Sequence, residues 1–142
     1  MDRQYASHYG VYAIITEGSR VLLIRKALGD AYKGMLDLPG GTPDPHELIE
    51  QTVMREVEEE TGCIPISAEQ LQTFSVLQPF ICSKTGLNKI LRHIGTIYKV
   101  VVTGEPNPNG DGIDSGGAFW FEREELEKEV LTPFTRMALN IA

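Results

Sequence analysis

The stretch GTPDPHELIEQTVMREVEEETGC, residues 41–63, decides how this chain is interpreted. Three of its residues predict the start of a helix. Asp44 suits the N-cap, Pro45 the first helical position, and Glu47 stands three positions after the cap, as in a capping box. The helix is expected to run from Pro45 until just before Gly62, because glycine commonly follows a helix C-terminus.

Three glutamates of the predicted helix are expected to lie on one face. Glu56, Glu59 and Glu60 are three and four positions apart, and on a helical wheel of about 100° per residue they share an arc with the apolar Ile49 and Val53. Acids near a helix C-terminus are disfavoured by roughly 0.3–1 kcal/mol each, because exposed carbonyls carry partial negative charge there. These placements call for a compensating cation. A solvated acidic helix without a metal is the alternative.

A hard divalent cation meets this need. Mg²⁺ binds carboxylate oxygens, keeps several waters and completes its shell with substrate phosphates. Such an ion joins an acidic pocket to an anionic diphosphate and lowers the pKa of a bound water, which can then attack phosphorus. A carboxylate that is not a ligand can accept the water's proton. The pattern therefore predicts metal-assisted hydrolysis of a diphosphate.

The same stretch resembles the Nudix box, in which glycine, five residues, glutamate and seven residues precede Arg-Glu-apolar-any-Glu-Glu-any-Gly-apolar. Val57 occupies the first apolar place, and Cys63 is a mild departure at the second. Seven specified residues at a usage of about 6% each should coincide by chance only about once in a few million such chains. All seven fixed positions match, namely Gly41, Glu47, Arg55, Glu56, Glu59, Glu60 and Gly62. The chain is therefore similar to the MutT-like Nudix hydrolases.

The resemblance implies a fold and a set of roles. The family's fold is α/β, a mixed β-sheet sandwiched between α-helices. Glu56 and Glu60 resemble the principal metal ligands, and Glu59 resembles a further ligand or the general base. Glu47 and Arg55 look like the supporting pair, which lies two turns apart on the helix and braces the adjoining loop.

Two further site candidates also rest on the resemblance. Gly41 resembles the family's turn glycine, next to a backbone carbonyl that often joins the metal shell. In several relatives an acid comes from the long loop before a late tryptophan strand, and here Asp114 precedes Trp120 by six residues. Asp111 is the rival acid. Both aspartates also suit an ordinary turn.

The rest of the chain predicts strands, loops and a helical tail. Glu17 to Ser19 separates the first two strands as a hairpin turn, and a glycine-rich loop at residues 104–117 is a candidate lid or metal loop. Arg25 and Lys26 could hold a terminal phosphate, or could simply be solvated at a strand end. The tail is expected to be helical, with a break at Pro133 and a second short helix from there to the end. The predicted strands are residues 10–16, 20–25, 36–38, 69–81, 88–102 and 118–121.

Composition narrows the class of protein. With 142 residues, 42% of them hydrophobic, a single domain over residues 1–142 is expected. A formal charge of −7 argues against a nucleic-acid partner that is bound by neutralising phosphates. Cys63 and Cys82 indicate neither a disulfide nor a CxxC metal site, so a cytoplasmic location is expected. No apolar stretch has the length of a membrane span, so no membrane partner is expected.

These observations converge on an enzyme. We expect a Nudix pyrophosphohydrolase that cleaves a nucleoside diphosphate linked to another group, with Mg²⁺ or Mn²⁺ as cofactor and a small nucleotide as substrate. The alternative is a Nudix-like nucleotide-binding regulatory module without turnover. A homodimer is compatible with the resemblance, since relatives are often dimers. The sequence does not select one nucleotide, because the selecting residues lie outside the box.

Overall fold

The computed structural model describes residues 5–26, 34–82, 84–111 and 115–141. Over these residues the chain forms two four-stranded sheets and three helical segments. The strands are β1 Tyr5–Ile14, β2 Thr16–Glu17, β3 Arg20–Lys26, β4 Leu36–Asp37, β5 Gly40–Gly41, β6 Ile64–Ile81, β7 Asn88–Thr103 and β8 Ser115–Glu122. The helices are α1 Ile49–Thr61, a 3₁₀ helix Arg123–Lys128 and α2 Pro133–Ala138.

The first sheet is mixed and the second is antiparallel. In the first sheet the strand order is β5-β1-β7-β6, where β1 runs parallel to β7 and the other pairs are antiparallel. In the second sheet β3 lies between β2 and β4 in the strand path and also pairs with β8. The predicted strand at residues 69–81 is longer than expected, because β6 pairs with β7 from Ile64 onward.

The predicted opening hairpin is present, but its first strand is shared between the two sheets. β1 ends at Ile14, and Thr16 then pairs with Val21 in the other sheet. Gly18 closes the turn with a φ of +62°, a left-handed conformation that suits glycine. Ile15, at the crossing, is buried and accepts a hydrogen bond from the Leu22 N–H.

Helices cover both faces of this β-layer, as the sandwich architecture requires. Side chains alternate along the strands, so that Val11 of β1 packs in the same buried cluster as Val53 and Val57 of α1. The next residue, Tyr12, packs in the opposite cluster with Phe134 of α2. The mixed α/β fold expected from the resemblance is therefore confirmed.

Helix α1 begins at Ile49, so the predicted start at Pro45 is wrong. His46 has a φ of +69°, which is incompatible with a first helical turn. Asp44 and Glu47 instead close an isolated turn, in which the Glu47 N–H donates to the Asp44 carbonyl at 3.1 Å and the Asp44 N–H donates to the Glu47 carboxylate at 3.0 Å. The capping-box bond therefore exists, but it stabilises the turn before the helix.

The end of α1 is where the sequence places it. Gly62 follows Thr61 with a φ of +77°, and its N–H donates to the Glu58 carbonyl at 3.0 Å. At the other end of the chain, the predicted break and second short helix are confirmed: α2 begins at Pro133, and Thr132 caps it by accepting a hydrogen bond from the Thr135 N–H. No helix in the described residues is long and apolar enough to span a membrane.

Candidate active site

Glu47 and Arg55 form the predicted supporting pair, although Glu47 lies on the turn before α1. The Arg55 guanidinium donates to both carboxylate oxygens of Glu47, at 2.8 Å from Nε and 3.0 Å from Nη2. Thr52 donates its hydroxyl to the same carboxylate at 2.7 Å. Bonding by Arg55, the Asp44 N–H and Thr52 lowers the pKa of Glu47 to about 2. The turn is therefore tied to α1 by an ionised, bidentate contact.

Arg55 also extends the network into the acidic face of α1. Its Nη1 donates to Glu56 at 2.9 Å and to Glu59 at 3.2 Å, while Nη2 lies 3.4 Å from the Thr42 carbonyl. Hydrogen bonding to Glu47 and Glu56 raises the pKa of Arg55 above its ordinary value. With Asp44 Oδ2 at 3.5 Å from Nε, one guanidinium thus partly neutralises four carboxylates, and it holds the loop at Thr42 against the helix.

Glu60 is the most deeply buried acid of the helix, with 3% of its surface exposed. Its carboxylate accepts a hydrogen bond from the Gly40 N–H at 2.7 Å. Burial raises the pKa of Glu60 well above its usual value, the Gly40 N–H lowers it, and the charge of Glu56 raises it again. The single neutral donor leaves this acid with little compensation for its lost hydration.

Gly41 lies directly against the Glu56 carboxylate. A Cβ at this position would come within 2.6 Å of Glu56 Oε1, which is closer than any real contact. Glu56 itself is buried, with 8% of its surface exposed. The backbone of that loop therefore lies beside the carboxylate, and a side chain at position 41 would push the flexible end of Glu56 out of its place.

The residues present fit a hard divalent cation in chemistry and in burial. Glu56 and Glu60 are buried carboxylates one turn apart, which are oxygen donors of the type that Mg²⁺ and Mn²⁺ prefer, and Gly41 lies beside Glu56. In the described part of the chain, no three His, Cys, Asp or Glu side chains are arranged to hold an ion together. Glu59 and Glu56 instead share Arg55.

Another buried acid, Asp37, lies near these glutamates, and the sequence analysis did not single it out. It is 6% exposed and accepts hydrogen bonds from the hydroxyls of Thr132 and Thr135, while Lys26 Nζ lies 3.6 Å from its other oxygen. The charges of Lys26 and Asp37 both act on Glu60. The available signal was a lone acid between two leucines in a short apolar strand, which indicates a buried carboxylate.

The structure brings some of the other candidates to the site and leaves others apart. Glu59 is on the acidic face, but its side chain is 52% exposed. Asp111 caps the start of β8 by accepting a hydrogen bond from the Ser115 N–H at 3.0 Å. Arg25 donates to the Gly34 carbonyl at 2.8 Å, so it is engaged by the loop. Asp114 lies outside the described residues.

A cavity of about 170 Å³ adjoins Asp37. Tyr12, one of its walls, packs so closely on Gly40 that a Cβ there would lie 2.5 Å from the ring. The Tyr12 hydroxyl lies 2.7 Å from His93 Nε2. The lining residues are His8, Tyr12, Lys26, Asp37, Gln78, Leu91, His93 and Thr132. A larger cavity of about 440 Å³, near Arg20 and Arg123, shares no residue with this group.

Comparisons with known proteins agree with this arrangement. A family model for the NUDIX domain matches residues 6–139. Over 65 residues, 46% of this chain, the sequence is 38% identical to an ADP-ribose pyrophosphatase of Methanocaldococcus jannaschii, and the match covers only 38% of that protein. The chain thus spans well under half the length of that relative.

Two further proteins match over most of their length. The chain is 28% identical to an 8-oxo-dGTP diphosphatase of Haemophilus influenzae over 120 residues, which are 84% of this chain and 79% of that protein. It also resembles the crystal structure of a MutT NUDIX hydrolase from Burkholderia pseudomallei, with a TM-score of 0.69 and 28% identity, covering 96% of this chain and 98% of that one.

Proposed function

Because the chain belongs to the Nudix family, we propose that it is a pyrophosphohydrolase that cleaves the diphosphate bond of a nucleoside diphosphate linked to a further group. The two cysteines, Cys63 and Cys82, are free thiols, which suits the cytoplasmic setting that we propose for the reaction. The whole chain would act as one Nudix hydrolase domain.

One observation carries the proposal. Glu56 and Glu60 are buried one turn apart on α1, against the backbone of Gly40 and Gly41. Arg55 pairs with Glu56, but Glu60 is buried beside the charge of Glu56 and has lost most of its hydration. A cation that joined both carboxylates would offset this cost.

In the proposed mechanism Glu56, Glu60 and the backbone carbonyl at Gly41 would hold Mg²⁺ or Mn²⁺. Such a cation would supply positive charge to offset the carboxylates, to polarise the diphosphate and to acidify an attacking water. Glu59 is exposed enough to act as a further ligand or to accept a proton from that water. Asp114 is the rival base.

Glu47 and Arg55 have a positioning role in this proposal. Their bidentate contact fixes the turn before α1, and Arg55 orients the carboxylates of Glu56 and Glu59. Supporting contacts of this kind hold ligands in place before the metal arrives. The group beyond the diphosphate would occupy the cavity beside Tyr12 and His93.

The test is hydrolysis of a panel of nucleotides with Mg²⁺, with Mn²⁺ and with a chelator. The panel holds ADP-ribose and 8-oxo-dGTP, the compounds named for two relatives, with dinucleoside polyphosphates and nucleotide sugars. Glu60→Gln should lower the rate by roughly 100-fold or more. It should leave the fold intact or slightly more stable, since it removes a buried charge beside Glu56.

Glu58→Gln is the matched control, because Glu58 is an exposed acid of the same helix, and its rate should equal that of the wild type. Near-normal turnover by Glu60→Gln would contradict the ligand assignment. Binding of a nucleotide without hydrolysis under every metal condition would favour the regulatory module. Asp114→Asn distinguishes the bases, since an unchanged rate returns that role to Glu59.

A further inference from the structure

The short strand β5 consists of two glycines and lies against both buried glutamates of the proposed site. The Gly40 N–H donates to the Glu60 carboxylate at 2.7 Å, and Gly41 lies against Glu56. Glycine has the greatest backbone freedom of any residue, and β5 stands at one end of the strand order β5-β1-β7-β6. Because β5 has no side chain of its own to pack, a neighbouring residue must hold it in place.

Tyr12 is the residue that lies across from Gly40 in the sheet. The two are register partners in the antiparallel pair of β1 with β5. The Tyr12 ring lies over Gly40 so closely that a Cβ on this glycine would come within 2.5 Å of ring carbon Cδ1. An aromatic ring that covers a glycine on the neighbouring edge strand replaces the packing that the glycine lacks. The Tyr12 ring therefore supports β5.

The Tyr12 ring is itself fixed at its far end. Its hydroxyl lies 2.7 Å from His93 Nε2, and the His93 ring stacks on Phe134 with centroids 4.4 Å apart. The Tyr12 ring also passes over Gly10, where a Cβ would come within 2.6 Å of the ring carbon that bears the hydroxyl. Only 5% of the Tyr12 surface is exposed. A buried ring that is anchored at its hydroxyl has a defined position, so its contact with Gly40 is defined as well.

We propose that Tyr12 is a positioning residue, whose ring holds the Gly40 N–H against Glu60 and thereby orients that carboxylate as a metal ligand. The inference rests on the proposed function, because it takes Glu60 to be a ligand. Loss of a group that hydrogen-bonds a metal ligand typically costs about 10–100-fold in metal affinity or activity. Tyr12 acts through such a group, the Gly40 N–H, so its loss should cost an amount at the lower end of this range.

The first measurement needs neither metal nor substrate. Hydrogen exchange of the Gly40 amide in the metal-free protein, followed by ¹H–¹⁵N NMR, reports how firmly this N–H is bound to Glu60. Tyr12→Phe removes the hydroxyl anchor and Tyr12→Leu removes the ring, so exchange should become faster in that order, by about tenfold for Tyr12→Leu. Tyr9→Phe is the matched control, since Tyr9 is on the same strand and its hydroxyl lies 2.7 Å from Thr96 Oγ1. It should leave the exchange of Gly40 unchanged.

The second measurement is the affinity for Mn²⁺ without nucleotide, obtained from the electron paramagnetic resonance signal of the free ion. Tyr12→Phe should weaken binding by about threefold and Tyr12→Leu by about tenfold, while Tyr9→Phe should match the wild type.

Kinetics distinguish a positioning role from a cavity wall, because Tyr12 also lines the cavity of about 170 Å³. In the Tyr12 variants the Mn²⁺ concentration for half-maximal rate should rise and the nucleotide KM should stay unchanged. A raised KM with unchanged Mn²⁺ binding would overturn the proposal. So would equal Gly40 exchange in Tyr12→Phe and Tyr9→Phe, a comparison that holds even if Tyr12→Leu does not fold. A wild type that hydrolyses no nucleotide would contradict the proposed function instead, and amide exchange with Mn²⁺ binding would still decide the role of Tyr12.

Discussion

Arg55 connects more of the proposed site than any single glutamate does. Its Nε and Nη2 donate to Glu47, and its Nη1 donates to Glu56 and Glu59. A lysine has the same charge but no planar fork, so it cannot replace this geometry. The charge alone is therefore not what the position requires.

Arg55→Lys should lower hydrolysis by about 10–100-fold, because the ligand carboxylates lose their orientation. It should also reduce the free energy of unfolding by about 1–3 kcal/mol, since partly buried carboxylates lose hydrogen bonds. Steady-state kinetics and urea unfolding measure the two effects. Arg92→Lys, at an exposed arginine that donates to the Ser7 hydroxyl, should change stability by less than about 0.5 kcal/mol. Equal losses in the two variants would argue against the network.

His93 lies in the wall of the cavity and has a shifted pKa. Burial, followed by the charges of His8 and Lys26, lowers its pKa from 6.5 to about 4, with Asp37 acting in the opposite direction. Its ring stacks on Phe134 at a centroid distance of 4.4 Å. The folded protein therefore holds this imidazole neutral over a range in which the unfolded chain protonates it.

Since the folded-state pKa is the lower one, the contribution of His93 to stability is complete above pH 6.5 and is lost as the pH falls toward 4. The loss should be roughly 1–2 kcal/mol, allowing for partial solvent screening. His93→Gln, which can still bond Tyr12, should flatten the pH dependence of urea unfolding in this window by that amount. Parallel curves for the two proteins would show that His93 does not titrate as described.

At the scale of elements, the loop before α1 shapes the proposed site as much as helix α1 does. Gly41→Ala should reduce hydrolysis by about 10–100-fold, because the new Cβ meets Glu56 Oε1 at 2.6 Å and displaces the carboxylate. Gly18→Ala is the comparison, since Gly18 has a φ of +62° and open space within 4 Å. It should cost about 1 kcal/mol of stability and leave the rate unchanged.

Kinetics and thermal unfolding of both glycine variants separate a steric effect on the site from a backbone effect on the turn. If Gly41→Ala retained the wild-type rate, the close approach of Glu56 to the loop would be irrelevant to hydrolysis. Both variants replace glycine with alanine, so a difference between their rates cannot come from a difference in side-chain size.

The two ends of α1 show what sequence can predict at this scale. Gly62 ends the helix as expected, because a left-handed residue and its capping bond are local properties. The start was misplaced by four residues, since the Asp44 and Glu47 pattern is identical for a helix start and for an isolated turn. Only the left-handed His46, and the pull of Arg55 on Glu47, distinguish the two.

At the scale of the whole molecule, the resemblance predicted the sandwich architecture. It did not predict how the strands are divided between two sheets. The hairpin at Gly18 is local, but whether Tyr5 to Ile14 stays with it or pairs with β7 depends on contacts far along the chain. Asp37 escaped prediction for the same reason, because its hydroxyl partners Thr132 and Thr135 come from the end of the described chain. Long-range partners leave little trace in a single sequence.

The parallel pairing of β1 with β7 also bears on how the chain is made. Tyr5 lies opposite Ile90, so at a synthesis rate of about 5–20 residues per second β1 waits on the order of ten seconds for its neighbour to leave the ribosome. During that interval its apolar face is open to water and to other nascent chains. The topology therefore leaves β1 without its long-range neighbour until most of the chain has been synthesised.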